Sequence, residues 1–299
     1  MIPCHNEAAT IAKVVDDFRA QLPDADIYVF DNCCTDETAE IAARHGAKVL
    51  SEPRLGKGFV IESMFDRIEA DYYVMADGDD TYPAEKVGEL LAPVLSGEAD
   101  MAVGARLARR RDGAFRPLHV AGNNLVRRLV NLIFHVKLTD ILSGYRAFNH
   151  KVIERVPIVS SGFEVETELT VHMLYYRLRI VEVQVPYGGR PAGSQSKLNT
   201  FRDGLRVLWK LFNLVRAFKP LTFFGSIAIV LLALGIAAGI VPVSAYVAGR
   251  GLSPPVLVVL AVGSMILGAI SAILGILLHA INWRFKELHS IMVRAKRRG

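Results

Sequence analysis

Charge all but disappears between Lys219 and Arg284, where Arg250 is the one charged side chain. The uncharged runs on either side of it each exceed the ~20 residues needed to cross a bilayer, so a wholly soluble chain is excluded. Cysteine is scarce too. Cys4, Cys33 and Cys34 have no metal-type spacing, and adjacent Cys33 and Cys34 make a poor disulfide pair. A disulfide- or zinc-stapled fold is thereby excluded and a reducing compartment is expected. No signal-peptide pattern precedes His5-Asn6-Glu7. No internal repeat and no low-complexity tract is present.

What the chain does have is a charged amino-terminal part long enough for a full core. Its 299 residues suit one globular domain of roughly 200 residues plus a membrane segment. The net charge of +5 is placed around the apolar runs. Arg202, Arg206, Lys210, Arg216 and Lys219 precede the first run, and Arg284, Lys286, Arg294, Lys296, Arg297 and Arg298 follow the second. The positive-inside rule then predicts two spans with both basic flanks, the amino-terminal domain and both termini in the cytoplasm. Because these charges border membrane spans, nucleic acid is not an expected partner.

Periodicity divides the chain further. Strands are predicted at Ile27–Asp31, Lys48–Ser51, Tyr72–Ala76, Met101–Gly104 and Ile180–Val185, and helices at 35–45, 59–69, 84–96, 119–136 and 164–177. Met1-Ile2-Pro3-Cys4 reads as the end of a short strand. Strand alternating with helix predicts an α/β fold, a mostly parallel sheet with helices on both faces, whose ligands bind at the carboxyl ends of the strands. Arg109-Arg110-Arg111-Asp112-Gly113 reads as a mobile basic loop. The expected domains are 1–198, a nucleotide-binding catalytic domain; 199–219, an amphipathic helix lying in the membrane interface or packed on the domain; 220–283, a two-helix transmembrane hairpin; and 284–299, a basic tail. Gly225, Gly235, Gly239, Gly263 and Gly268 would permit close helix packing, within one chain or in a homo-oligomer.

Several constellations carry chemistry. Asp77-Gly78-Asp79-Asp80 closes an apolar strand. Carboxylates so close repel unless neutralised, and Mg²⁺ or Mn²⁺ takes one or two of them together with diphosphate oxygens; an acidic turn is the plainer reading. Asp31 ends another strand and could accept hydrogen bonds from a base or ribose. Gly56-Lys57-Gly58 allows close backbone approach and offers a cation, without the rest of a P-loop. Asp140 and Ser143-Gly144-Tyr145-Arg146 form a polar insertion. Glu164, Glu166 and Glu168 open a helix, Glu164 and Glu168 on one face and Glu166 elsewhere, where acidic residues also complement the helix dipole. Arg190, Ser194, Ser196 and Lys197 make a plausible phosphate-binding loop.

Taken together these residues resemble glycosyltransferase family 2. Pro3-Cys4-His5-Asn6-Glu7 matches its opening motif, Asp31 with Thr35-Asp36 its second, Gly56-Lys57-Gly58 its glycine-lysine-glycine step and Asp77-x-Asp79 its metal motif. With the two spans, the chain is similar to the polyprenyl-phosphate glycosyltransferases. The resemblance implies a GT-A-like fold and transfer of a hexose, with inversion, from a nucleotide diphosphate sugar to undecaprenyl or dolichyl phosphate at the cytoplasmic membrane face, with UDP favoured over GDP. Pro3, Asn6, Glu7, Asp31, Lys57, Asp77 and Gly78 would bind the nucleotide, and Asp77 and Asp79 the Mg²⁺ or Mn²⁺. Asp79, Asp140, Arg190 and Lys197 would be catalytic, and Arg106, Ser194 and Ser196 would hold the acceptor phosphate. The Gln-x-x-Arg-Trp motif of processive synthases is absent. A membrane-anchored transferase acting on a glycan or protein, and a non-enzymatic membrane scaffold, are the alternatives.

Overall fold

A computed structural model of the chain describes residues 1–106, 117–162, 164–188, 200–250 and 255–296. Among the described residues, seven strands and ten α-helices follow in the order β1 (Ile2–Cys4), α1 (Ile11–Gln21), β2 (Tyr28–Asp31), α2 (Thr38–Arg44), β3 (Lys48–Ser51), α3 (Lys57–Arg67), β4 (Tyr72–Met75), α4 (Val87–Leu95), β5 (Met101–Arg106), α5 (Pro117–Phe134), β6 (Arg146–Asn149), α6 (His150–Arg155), α7 (Val165–Tyr175), β7 (Ile180–Val185), α8 (Thr200–Phe218), α9 (Pro220–Val247) and α10 (Pro255–Lys296). The chain forms two compact units, Met1–Leu211 and Phe212–Gly299, which divide within α8.

In the first unit β1, β2 and β3 pair in parallel, and β4, β6, β5 and β7 form a second ladder in that order. Met1 joins the two: its amino group donates to the Val74 carbonyl (2.7 Å), and its carbonyl accepts from the Ala76 N–H (3.2 Å). The strand sequence is therefore β3-β2-β1-β4-β6-β5-β7, with β6 antiparallel to both neighbours and β5 parallel to β7. The predicted strands appear nearly where the alternation put them. The strand β6 was not expected: Arg146, read as the end of a polar insertion, instead begins a strand, Arg146–Asn149, wedged between β4 and β5. Four residues too few to show a period, bounded by a turn, carry no strand signal of their own.

Alternation along the strands divides the core by face. Val29, Ala102 and Ala147 point to a cluster closed by Ile11, Val15 and Phe18 of α1 and Leu90 and Val94 of α4. Phe30, Met75, Met101, Val103 and Phe148 point to the other, closed by Ile61 and Met64 of α3 and Val165, Leu169 and Met173 of α7. At ~1.5–3 kcal/mol for each fully buried large apolar side chain, these two layers hold the sheet between them. The helix α7, buried on nearly every side, packs so tightly that its acidic residues face protein rather than water.

In the second unit α9 and α10 run antiparallel. Gly235 abuts Met265 and the Ala261 carbonyl, Gly268 abuts Leu232 and the Ala228 carbonyl, and Gly275 abuts Phe224. Ser271 Oγ donates to the Phe224 carbonyl (2.9 Å). Of the five glycines expected to permit close packing, Gly235 and Gly268 meet the facing helix and Gly239 only grazes Ala261 (3.7 Å); Gly225 and Gly263 face open space. Gly275, not anticipated, completes the seam. Pro220–Val247 and Pro255–Leu288 are long enough to cross a membrane, and each contains an 18-residue stretch of mean hydropathy 2.6.

Candidate active site

The parallel strands β1, β2 and β4 each end in a turn carrying a non-glycine residue in the left-handed region: Asn6 (φ 55°), Cys33 (φ 56°) and Asp80 (φ 55°). Such conformations are uncommon outside glycine and concentrate at functional sites. Here they line one end of the sheet.

Side-chain hydrogen bonds tie the first two turns together. Asn6 Oδ1 accepts from the Thr35 N–H (2.7 Å), Thr38 Oγ1 accepts from the Glu7 N–H (2.8 Å), and Asp36 accepts from the Ala8 N–H (3.1 Å). Asp31 Oδ1 accepts from the Cys34 N–H (2.9 Å), closing its own turn. Asn32, buried beneath them, donates to the Glu52 (3.0 Å) and Arg54 (2.8 Å) carbonyls and accepts from the Gly56 N–H (2.8 Å). The second motif is thus bonded directly to the glycine-lysine-glycine step.

That step makes its close approach to the protein itself. A Cβ on Gly56 would lie 2.1 Å from the Ser161 carbonyl oxygen, and one on Gly58 would lie 1.8 Å from that of Ser160. The Gly58 N–H donates to the Ser161 carbonyl (3.1 Å). Docked in this way, Lys57 reaches inward between two carboxylates, its Nζ 2.6 Å from both Asp77 Oδ1 and Glu166 Oε1. Burial alone would lower its pKa; the charges of Asp77 and Glu166 outweigh burial and hold it well above the ordinary value.

The Ala76–Asp80 turn packs against β1. Gly78 leaves no room for a side chain, since a Cβ there would meet Cys4 Sγ at 2.6 Å, and its carbonyl accepts from the buried Thr10 Oγ1 (2.6 Å). Asp79 is buried and its Oδ1 accepts from Thr81 Oγ1 (2.6 Å) and the Thr81 N–H (3.3 Å). Asp80 pairs with Lys13 (2.9 Å). Among the described residues no group of three or more His, Cys, Asp or Glu side chains could hold a metal ion alone. Two carboxylates at a strand end nevertheless suit Mg²⁺ or Mn²⁺ when phosphate oxygens complete the shell. The Lys57 ammonium already sits against one of them as a stand-in cation.

Behind Asp77 lies the Ile141–Arg146 turn. Gly144 abuts the Asp77 carboxylate, and its N–H donates to Tyr82 Oη (2.9 Å). Arg146 is fully buried; it donates to the carbonyls of Ser143 (2.9 Å), Ile141 (2.8 Å) and Glu166 (3.0 Å) and to Thr170 Oγ1 (3.0 Å), joining the turn to α7. Tyr82 meets Tyr187 edge to face (5.5 Å between centroids), and the Arg106 guanidinium lies over the Tyr187 ring (5.3 Å). Arg106 also grips Asp140 through two nitrogens, at 2.6 and 2.9 Å. Burial would raise the pKa of Asp140, but the hydrogen bonds and charge of Arg106 win and keep it below the usual carboxylate range. Glu182 accepts from the backbone of Thr139 and Asp140, fixing that turn.

The structure therefore gathers Pro3, Asn6, Glu7, Asp31, Lys57, Asp77, Gly78 and Asp79 at the ends of β1, β2 and β4, and brings Arg106 and Asp140 together beside them. The described chain reaches Gly188, whose N–H donates to the Thr81 carbonyl (3.0 Å). Arg190, Ser194, Ser196 and Lys197 lie outside the described residues, as does the basic stretch 109–113. Asn32, Tyr82 and Tyr187 were not singled out from the sequence as members of the site; Glu166 was noted at its helix start, but not as a partner of Lys57. Tyr82 and Tyr187 adjoin the acidic motif and the basic loop in sequence, which is the one signal that could have found them. For Glu166 the sequence left helix-dipole complementarity as an equal reading, because acidic residues at a helix start are ordinary.

The model of glycosyl transferase family 2 matches residues 1–156. Among curated relatives, glycosyltransferase AglJ of Haloferax volcanii is 34% identical over 93% of this chain and 91% of its own length. A dolichyl-phosphate hexose transferase of the same organism is 28% identical over 68% of this chain and 87% of its own. Glucosyl-3-phosphoglycerate synthase of Mycobacterium tuberculosis, solved with Mn²⁺, UDP-glucose and phosphoglyceric acid, superposes with a TM-score of 0.60 at 23% identity, covering 71% of this chain and 77% of that one, and so shares the fold. The chain belongs to glycosyl transferase family 2 and is a nucleotide-sugar-dependent glycosyltransferase with a GT-A-like head followed in sequence by two membrane-length helices.

Proposed function

We propose that the enzyme transfers a hexose from a nucleotide diphosphate sugar to a polyprenyl phosphate at the cytoplasmic face of a membrane. The observation that carries this reading is the fusion of a family 2 head to two helices, each long enough to span and each holding an 18-residue stretch of mean hydropathy 2.6. A dolichyl-phosphate hexose transferase among its relatives supports the same acceptor class. The basic flanks of the two helices support a cytoplasmic head. UDP is the favoured donor base, in keeping with the UDP-glucose bound by the M. tuberculosis neighbour.

Pro3, Asn6, Glu7 and Asp31 would border the base and ribose, with Lys57 and Gly78 beside the phosphates. Asp77 and Asp79 would hold Mn²⁺ or Mg²⁺, which when bound neutralises the diphosphate as it leaves. The acceptor is a phosphate monoester, with a second pKa near ~6, and is already mostly dianionic at neutral pH. It needs no general base. An Asp140 held acidic by Arg106 makes a poor base, which favours an orienting and electrostatic role for the pair. Arg190, Ser194, Ser196 and Lys197, outside the described residues, would hold the acceptor phosphate.

The test uses purified full-length protein in detergent with polyprenyl phosphate, Mn²⁺ or Mg²⁺ and radiolabelled UDP- and GDP-sugars. Label is expected in the organic phase with one donor and is expected to vanish with EDTA. Nucleotide release without lipid labelling would overturn the acceptor. Asp79→Ala is expected to abolish transfer while the protein still inserts into membranes; retained turnover would remove Asp79 from the metal site.

A further inference from the structure

We propose that Lys57 is a resident counter-ion that holds Asp77 until a divalent cation arrives, and that Glu166 is the positioning residue that keeps Lys57 in the site once Asp77 lets go. This deepens the metal reading of Asp77 and Asp79 and rests on it.

The geometry is a three-member ion chain. Lys57 Nζ lies 2.6 Å from Asp77 Oδ1 on one side and 2.6 Å from Glu166 Oε1 on the other. The side chain of Asp77 is 27% exposed, that of Lys57 11% and that of Glu166 5%, so a ligand reaches the chain from the Asp77 end. An ammonium and a divalent cation cannot share one carboxylate without repelling each other. With Glu166 in place the ammonium has a second carboxylate to stay on. Without it, Asp77 would be the only countercharge of a buried lysine, and releasing it would leave that charge unpaired.

Glu166 and Lys57 are both anchored through the backbone. The Glu166 carbonyl accepts from Arg146 (3.0 Å) and Thr170 Oγ1 (2.9 Å). The residues flanking Lys57 are bonded to Asn32 (2.8 Å) and to the Ser161 carbonyl (3.1 Å). Rigid anchors let partners exchange by a small movement of one flexible stem. No covalent bond changes. The cation takes Asp77, and Lys57 remains on Glu166 with an ammonium facing the diphosphate. A bare cation gains little from such a site, so cation and nucleotide are expected to enter together.

Mn²⁺ binding to the full chain in detergent, read from the electron paramagnetic resonance of free Mn²⁺, tests this without turnover. It is measured with Mn²⁺ alone and with UDP or GDP, for the wild type, Lys57→Met, Glu166→Gln and the double variant. Lys57→Met is expected to bind Mn²⁺ alone about tenfold more tightly than wild type, a gain that misfolding cannot mimic. Glu166→Gln is expected to weaken binding about tenfold when Lys57 is present and less than about twofold in the Lys57→Met background, the coupling typical of residues in direct contact. Glu166→Asp is expected to restore part of the loss. Weaker or unchanged binding by Lys57→Met, or an equal Glu166→Gln loss in both backgrounds, would overturn the exchange while leaving the metal site standing. Absence of Mn²⁺ binding by all four proteins with either nucleotide would overturn the metal reading and this inference with it.

Discussion

Single side chains in this enzyme are committed to one another before any substrate arrives. Glu52, at the end of β3, accepts from Arg54 through both carboxylate oxygens (Nε 2.8 Å, Nη2 3.0 Å) and from its N–H (2.9 Å). These hydrogen bonds outweigh burial and bring its pKa from 4.5 to about 2. A carboxylate whose folded pKa is depressed stabilises the fold above its unfolded value and loses that contribution as pH falls through the folded one. The wild type is therefore expected to lose thermal stability between pH 4.5 and about 2, and Glu52→Gln to show a shallower decline over the same window. Equal slopes in acid melting curves would show that the Glu52–Arg54 pair contributes nothing there. Because Glu52 also receives Asn32 on its carbonyl, the first turns of the site share this dependence.

At the scale of elements, the glycine-lysine-glycine step matters as a joint between α3 and the segment that precedes α7. Gly58→Ala would drive a methyl group into the Ser160 carbonyl, and since backbone faces backbone neither side can yield cheaply. A loss of ~1–3 kcal/mol is expected, the usual cost of overpacking, with transfer activity falling as Lys57 shifts. Gly88→Ala, in α4 where a Cβ meets nothing within 4 Å, is the control and is expected to gain up to ~1 kcal/mol. The order of the two melting midpoints checks both. The helix α8 is amphipathic in the structure as in the sequence. Val207 and Leu211 are buried and Lys210 pairs with the buried Glu168 (2.8 Å), whereas Leu205 and Trp209 are more than 60% exposed. One face packs on protein and the other presents apolar surface, the combination expected of a helix at a membrane interface.

Across the whole molecule, a soluble-type α/β head and an apolar helix pair follow different solvents. In the head, burial of apolar surface holds the sheet between its helices. Between α9 and α10 lipid is as apolar as leucine, so close approach at small residues and the Ser271 hydrogen bond must hold the pair. Gly268→Leu, which would collide with Leu232 and the Ala228 carbonyl, is expected to lower the melting temperature of the full chain in detergent. Gly263→Leu, on open surface, is expected to leave it unchanged. If both behaved alike, the glycine seam would not be what holds the helices together.

Much of this was legible without coordinates, for reasons particular to each feature. Strand β2 ending in Asp31 and strand β4 running into Asp77–Asp80 announce themselves, because apolar runs broken by acidic turns have few other meanings. The absence of charge from 220 to 249 and from 251 to 283 is what the cost of burying charge in lipid would demand of a span, so the two long apolar helices could be read directly. Strand β6 could not, being too short to show a period. Nor could the pairing of Lys57 with Glu166, or of Arg106 with Asp140, be seen, because those partners lie 109 and 34 residues apart in sequence and meet only when the sheet brings their elements together. Local periodicity and motif spacing decided which residues end the strands. Which carboxylate faces which cation was left to the tertiary structure, since the close approach that selects a partner is a property of packing and not of sequence distance.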